Sequence, residues 1–207
     1  ALARELAAAE VDVIVTGANM QSNHMRQTAA AARKLGLDVV DLYLIHWPVK
    51  GKSAETWRAL EKLYSEGKVR AIGASNYSAP RLAEALAVSR QLGLPRYESL
   101  QPHYNLVHRA EFERELRDVC QAYGIGVIPY SPLAGGFLTG KYRQGEPPPD
   151  GTRGAGSQRI KAYIANPANF AIVDRLPPDA AHDCKLVDAW AAAIGMTGWY
   201  TWVPYKP

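Results

Sequence analysis

The sequence predicts an α/β fold, an incomplete or distorted TIM-like (β/α) barrel with about five parallel strands. Three observations carry that expectation. First, five apolar, β-rich runs begin at Val11 (VDVIVTG), Asp41 (DLYLIHW), Val69 (VRAIGAS), Tyr97 (YESLQPH) and Ile125 (IGVIPYS), at intervals of 30, 28, 28 and 28 residues. Second, the segments between them have helical periodicity and stop at Gly36, Gly67, Gly93 and Gly124, the residue type that most readily takes a left-handed C-cap. Strand, helix, glycine, strand in repetition means βα units with parallel strands. Third, no GxGxxG follows any strand, which weakens the dinucleotide-type open sheet and leaves the regular spacing to favour a barrel.

Each element follows from local pattern. The Val11 run leads into a helical segment for which Ser22 or Asn23 is the N-cap. The Asp41 run ends in His46-Trp47-Pro48, and Ser53 caps the next helix. After the Val69 run, Ser78 caps a helix whose apolar stripe holds Leu82, Leu86 and Leu92 with Ala85. Beyond the Tyr97 run, Phe112, Leu116, Val119 and Tyr123 fall at i, i+4, i+7 and i+11, one face of a helix. After Tyr142 the pattern changes. Residues 143–159 (RQGEPPPDGTRGAGSQR) read as a loop rich in proline, glycine and serine. Ile160 to Leu176 reads as a helix interrupted at Pro167, Val187 to Ile194 as another, and the aromatic tail as a short edge strand.

Composition excludes several classes. A chain of 207 residues can bury one large core or two small ones. The net charge of +4 suits an anionic ligand and suits equally a protein with none. No Lys/Arg run is interleaved with aromatics, so no nucleic-acid partner is expected. Apolar stretches fall short of a membrane span, and Arg4, Glu5 and Glu10 do not belong in a signal peptide. Cys120 and Cys184 show no CxxC spacing, so the expectation is a reduced, cytoplasmic protein without a metal site. The chain begins at Ala1 rather than Met, as a processed or incomplete chain would.

Functional groups in parallel βα folds collect at the C-terminal ends of strands. Here four consecutive strands finish with polar groups: His46, Ser75 with Asn76, Gln101 with His103, and Tyr130 with Ser131. Singly, each has an ordinary alternative. His46 could satisfy a backbone carbonyl, Ser75-Asn76 could be turn chemistry, and Tyr130 could be a core ring with a wet hydroxyl. Together they would line one rim. An amide pair and a hydroxyl could hold a flat carboxamide by its edge, and an aromatic face could stack on the ring. The small residues of SPLAGGFLTGK (131–141) could bring backbone N–H groups to phosphate oxygens, with Lys141 as counter-charge. A nicotinamide dinucleotide fits that description.

These same stretches, "LGLDVVDLYLIHWP", "EGKVRAIGASNYS", "QPHYNLVHR" and "GIGVIPYSPLAGGFLTGKY", resemble the aldo-keto reductases, NADP(H)-dependent carbonyl reductases on a (β/α)8 barrel. The resemblance runs from about residue 35 to residue 142 and weakly on to residue 176. It implies that His46 orients the substrate carbonyl, that Ser75, Asn76 and Gln101 hold the carboxamide, and that Tyr130 stacks on nicotinamide. It also implies that Ser131, Pro132, Leu133, Ala134, Gly135 and Lys141 hold the phosphates, and that the partner is a small carbonyl substrate. The family's proton relay of aspartate, tyrosine and lysine has no match. The first tyrosine in the chain is Tyr43, and the one lysine ahead of it is Lys34.

In that place stands "VIVTGANMQSNHMRQTAAAARKLG" (13–36), which resembles pyridoxal-phosphate enzymes of the D-cysteine desulfhydrase and ACC deaminase type. That resemblance implies a Gln21-Ser22-Asn23 loop gripping a substrate carboxylate at a helix N-terminus. The chain thus looks like a mosaic: a βα unit of one enzyme type in 1–36, aldo-keto reductase-like units in 37–142, and irregular structure with helices in 143–207. The expectations that follow are a reductase that binds NADP(H) but is catalytically impaired, a pyridoxal-phosphate enzyme fragment, or a non-catalytic βα domain. Unpaired sheet edges also predict self-association.

Overall fold

The computed structural model describes residues 16–18, 39–48 and 53–176. They fall in two compact units, one within residues 1–102 and 115–127, the other within residues 103–114 and 128–207. These divisions follow contacts, and the segments 1–36, 37–142 and 143–207 expected from the sequence are of a different kind.

The first unit holds a five-stranded parallel sheet: β1 (Thr16–Ala18), β2 (Val40–Ile45), β3 (Val69–Ser75), β4 (Tyr97–Gln101) and β5 (Gly126–Val127). The strands lie in the order β1-β2-β3-β4-β5. A doubly wound sheet reverses direction part way along; here every new strand is added on the same side, as in a barrel wall. The fold is therefore α/β, part of a TIM-like barrel, as the spacing predicts. Helix α1 (Ser53–Ser65) joins β2 to β3, α2 (Ala79–Leu92) joins β3 to β4, and α3 (Arg117–Tyr123) precedes β5.

Register sets a tight row across the sheet, with Leu44 beside Gly73 and Gly73 beside Ser99. A Cβ on Gly73 would run into Leu44 Cδ2 and Ser99 Oγ, so the neighbours leave room only for glycine. Leu60, Ile72, Leu82, Leu100 and Val127 are fully buried around the sheet. The helix ends behave as the glycines predict: Gly67, Gly93 and Gly124 take φ of 68°, 64° and 62°. Ser78 is extended at the N-cap of α2, but its hydroxyl makes no capping bond.

One expected core residue is misplaced. Leu92 is 63% exposed, while Leu82 and Leu86 are buried. At about 100° per residue, position 92 lies well off the face shared by 82 and 86, and position 89 lies on it. Ser89 takes that place, buried, with its hydroxyl donating to Leu94 O at 2.8 Å.

In the second unit a kinked 3₁₀ stretch (Ala134–Thr139) is followed by α4 (Arg153–Gly156), α5 (Gln158–Ala165) and α6 (Pro167–Val173). Their core is Phe137, Leu138, Tyr142, Ile160, Tyr163 and Phe170 with Ala134. The expected interruption at Pro167 is a full break. Asn166 caps the new helix, its Oδ1 accepting from Ala168 N at 3.1 Å, and Pro167 takes the first helical position. The 143–159 segment, expected as loop, holds the short α4, whose Gly154 N–H donates to Tyr142 Oη at 3.0 Å, and the first two residues of α5.

The start of the Val11 run, the segment through Ser22 and Asn23 to Gly36, the Val187–Ile194 helix and the aromatic tail lie outside the described residues. No described helix is long and apolar enough to cross a membrane.

Candidate functional site

In the first unit, the ends of three strands are laced together by the residues the sequence singles out. Ser75, the last residue of β3, is 1% exposed, and its hydroxyl donates to Gln101 O at 2.8 Å. The backbone N–H of Asn76 donates to the same carbonyl at 3.3 Å. The Asn76 amide donates to His46 O at 2.9 Å and meets Ser75 Oγ at 3.1 Å. Asn76 thereby ties the ends of β2, β3 and β4, and it does so in the left-handed region at φ 59°.

His46 follows β2 and is half-buried. Its carbonyl is used by Asn76, whereas its ring Nδ1 is buried with no hydrogen-bond partner among the described residues. Beside it Trp47 is 51% exposed.

In the second unit, His103 and Tyr130 pair as an isolated parallel bridge. Buried Asn105 secures the loop that follows: its amide donates to Ser131 O at 3.1 Å, and its Oδ1 accepts from Val107 N at 3.1 Å. The loop then turns through left-handed residues at Ser131 (φ 57°), Ala134 (51°), Gly135 (66°) and Gly136 (95°), with Pro132 and Leu133 between. Such a run curls the backbone into a concavity of the kind that receives anions. Lys141 lies over it, its Nζ 2.8 Å from where a Cβ on Gly136 would be.

Asn76, Ser131 and Ala134 are the three non-glycine residues with positive φ among the described residues. All three belong to the set marked out by the sequence. Left-handed backbone at such residues costs about 1–2 kcal/mol and persists where surrounding contacts over-determine it, most often at functional sites.

The loop faces a cavity of about 510 Å³ lined by Ser131, Ala134 and Gly135 and also by Arg153, Ser157 and Arg159. These two arginines were hidden in the 143–159 loop; their signal was two cations within seven residues in a loop with no acidic residue between them. Also missed were Asn105 and the partnership of His103 with Tyr163, whose Oη lies 3.0 Å from His103 Nε2. Burial, with help from His108 and Arg159, pulls the His103 pKa down to about 4. Burial likewise pushes the Tyr130 hydroxyl up. A second cavity of about 480 Å³, lined by Trp57, Tyr77, Arg81 and Tyr97, lies along α1 and α2; none of the expected site residues lines it.

Each unit, taken by itself, carries polar groups of a distinct kind. The first unit offers hydroxyl, amide and imidazole groups at strand ends, and the second an aromatic face, a left-handed loop and three cations, Lys141, Arg153 and Arg159.

Comparison with known proteins points to a family. The family model described as the aldo/keto reductase family matches residues 15–193. Glyoxal reductase of Bacillus subtilis is 39% identical over 142 residues, covering 65% of this chain and 48% of the relative. The NADH-specific methylglyoxal reductase of Escherichia coli is 33% identical over 177 residues, covering 81% of this chain and 50% of the relative. The 9,11-endoperoxide prostaglandin H2 reductase of Trypanosoma cruzi is 38% identical over 125 residues, 59% of this chain and 42% of the relative. The chain thus spans about half the length of these relatives. The family match begins inside the 13–36 segment, and a pyridoxal-phosphate reading of that segment finds no support among these relatives.

Proposed function

This chain belongs to the aldo/keto reductase family, and on that footing we propose that it binds NADP(H) and reduces a small aldehyde or ketone slowly. The observation that carries this reading is the coincidence of all three strained non-glycine residues, Asn76, Ser131 and Ala134, with the residues assigned to the cofactor. Ser75, Asn76 and Gln101 hold the carboxamide, and Tyr130 carries the ring. Ser131, Pro132, Leu133, Ala134, Gly135 and Lys141 hold the phosphates, joined by Arg153 and Arg159. When bound, the cofactor supplies hydride. His46 donates a hydrogen bond to the substrate oxygen and so orients the carbonyl.

Hydride delivery leaves an alkoxide that needs a proton. The slow rate proposed here corresponds to a site without an efficient proton donor, since losing a general acid removes about 10²–10⁴ in rate. The substrate class is proposed from the relatives' names, small reactive carbonyls such as glyoxal and methylglyoxal. A cytoplasmic location, self-association through the edges that β1 and β5 form among the described residues, and a mosaic origin for residues 13–36 belong to the same proposal.

The test is titration with NADPH and NADH, followed by nicotinamide oxidation with methylglyoxal, for wild type and His46→Ala. We expect saturable NADPH binding, oxidation little above background, a further fall in His46→Ala, and binding that survives the substitution. No saturation at millimolar NADPH overturns the cofactor assignment. Fast turnover that His46→Ala leaves unchanged overturns the role of His46 and the slow rate together.

A further inference from the structure

His103 is held more tightly than a strand-end histidine needs to be. Its ring lies nearly parallel to Tyr130, with centroids 5.1 Å apart and planes at 8°, and against His108 at 4.0 Å and 21°. Its Nε2 meets Tyr163 Oη at 3.0 Å and Asn105 Nδ2 at 3.4 Å. An amide nitrogen only donates, so Nε2 is the acceptor of both contacts and the ring proton sits on Nδ1. Both partners are themselves fixed. Asn105 is buried and bonded to Ser131 O and Val107 N, and Tyr163 is packed in the core with Phe137.

We infer that His103 is a positioning residue: anchored by Tyr163 and Asn105, it fixes the plane of the Tyr130 ring on which nicotinamide stacks. The inference rests on the cofactor assignment above and extends it to a residue that makes no contact with cofactor. Its physical basis is preorganisation. Tyr130 is only half-buried, and an aromatic side chain that must be frozen on binding costs affinity. A ring already clamped against His103 has lost that freedom beforehand. With centroids only 5.1 Å apart, no third ring enters between the two, so the clamp is not itself the binding slot.

The clamp works with a neutral imidazole. Around His103 stand Tyr163 and Arg159 from α5, Tyr130 beyond β5, His108 from the turn after Asn105, and Glu111 from the helical stretch that follows it. A proton on Nε2 would remove the acceptor shared by Tyr163 and Asn105 and place a second cation near Arg159. Burial first, then His108 and Arg159, hold the pKa near 4, with Glu111 opposing. The clamp therefore stays intact through neutral and mildly acid pH.

The experiment compares two ligands on the full chain: NADPH, and 2′,5′-ADP, which carries adenosine and phosphates without nicotinamide. Both are titrated against wild type, His103→Phe and Tyr163→Phe at fixed salt. His103→Phe keeps a flat ring beside Tyr130 but loses the acceptor. Tyr163→Phe removes a single hydroxyl and threatens folding least. NADPH should bind about three- to tenfold more weakly to each variant, with 2′,5′-ADP unchanged, and the wild-type ratio of the two affinities, in which the shared phosphates cancel, flat from pH 5.5 to 8. Unchanged NADPH affinity in both variants overturns the inference and leaves the cofactor assignment standing. A parallel loss of both ligands also overturns it, because that is what a merely structural histidine holding up the loop would give. Wild type that binds no NADPH overturns the cofactor assignment, and the inference with it.

Discussion

Replacing Asn76 by glycine and by alanine separates the two things this residue does. Its amide donates to His46 O at 2.9 Å and meets Ser75 Oγ at 3.1 Å, and its backbone sits at φ 59°. Either substitution deletes the amide. Losing a partly buried hydrogen bond to a carbonyl costs about 0.5–1.5 kcal/mol net. Alanine must also adopt left-handed backbone, a further penalty of about 1–2 kcal/mol that glycine escapes. Asn76→Gly should therefore destabilise by about 1 kcal/mol and Asn76→Ala by about 2–3 kcal/mol. Urea unfolding followed by far-ultraviolet circular dichroism resolves that difference, since both variants share the same slope if the denatured state is unchanged. NADPH affinity should fall to a similar extent in both, because the lost group is the same. Asn76→Ala as stable as Asn76→Gly would refute the left-handed conformation. Two variants as stable as wild type would refute the lacing of the three strand ends.

Three further outcomes are expected. Gly73→Ala, whose new methyl meets Leu44 Cδ2 and Ser99 Oγ, should destabilise by about 1–3 kcal/mol; Ser99→Gly should recover part of that loss in a double-mutant cycle measured by urea unfolding. Arg153→Gln and Arg159→Gln should each weaken NADPH binding about tenfold and flatten its dependence on salt, as titration between low and high ionic strength will show. Stability should also fall with acid in a defined window. The folded His103 pKa of about 4 lies below its ordinary 6.5, so the native state binds fewer protons between those values. Stability is then fully present above about pH 6.5 and is lost as pH falls toward 4, less steeply in His103→Asn.

What was legible in the sequence was whatever repeats within an element. The starts of β3 and β4 at Val69 and Tyr97 coincide with the apolar runs, and β5 begins one residue after Ile125. Gly67, Gly93 and Gly124 cap as glycine should, because a residue without Cβ at a helix end has few other reasons to be there. Leu92 was misread because spacing alone counted it into a stripe whose angular position it does not share, while Ser89, polar and therefore passed over, is buried through a bond to its own helix end. Arg153 and Arg159 were illegible for a different reason. They lie in a segment with no period, and what brings them to Ser131 and Gly135 is tertiary: Gly154 packed on Tyr142, and Ile160 on the Ala134–Phe137 core. His103 and Tyr163 are 60 positions apart and meet only after the second unit has folded.

The residues that were legible as a site and those that were not stand in a causal relation. Ser75-Asn76 and Ser131 announce themselves because hydroxyl and amide side chains at strand ends are chemically conspicuous. Their backbone conformations, however, are unfavourable alone: Asn76 at φ 59°, Ser131 at 57° and Ala134 at 51°. Asn76 and Ser131 are held by groups that carry no signal as such, a backbone carbonyl and a buried amide. Gln101 O receives both the Ser75 hydroxyl and the Asn76 N–H, and the buried Asn105 amide receives its place from Val107 and gives it to Ser131. A strained turn persists only while such contacts outweigh its cost of about 1–2 kcal/mol per residue. The supporting residues therefore decide whether the recognisable ones keep a usable geometry. Asn105 is the sharpest case, since its single side chain anchors both the Ser131 turn and the ring of His103.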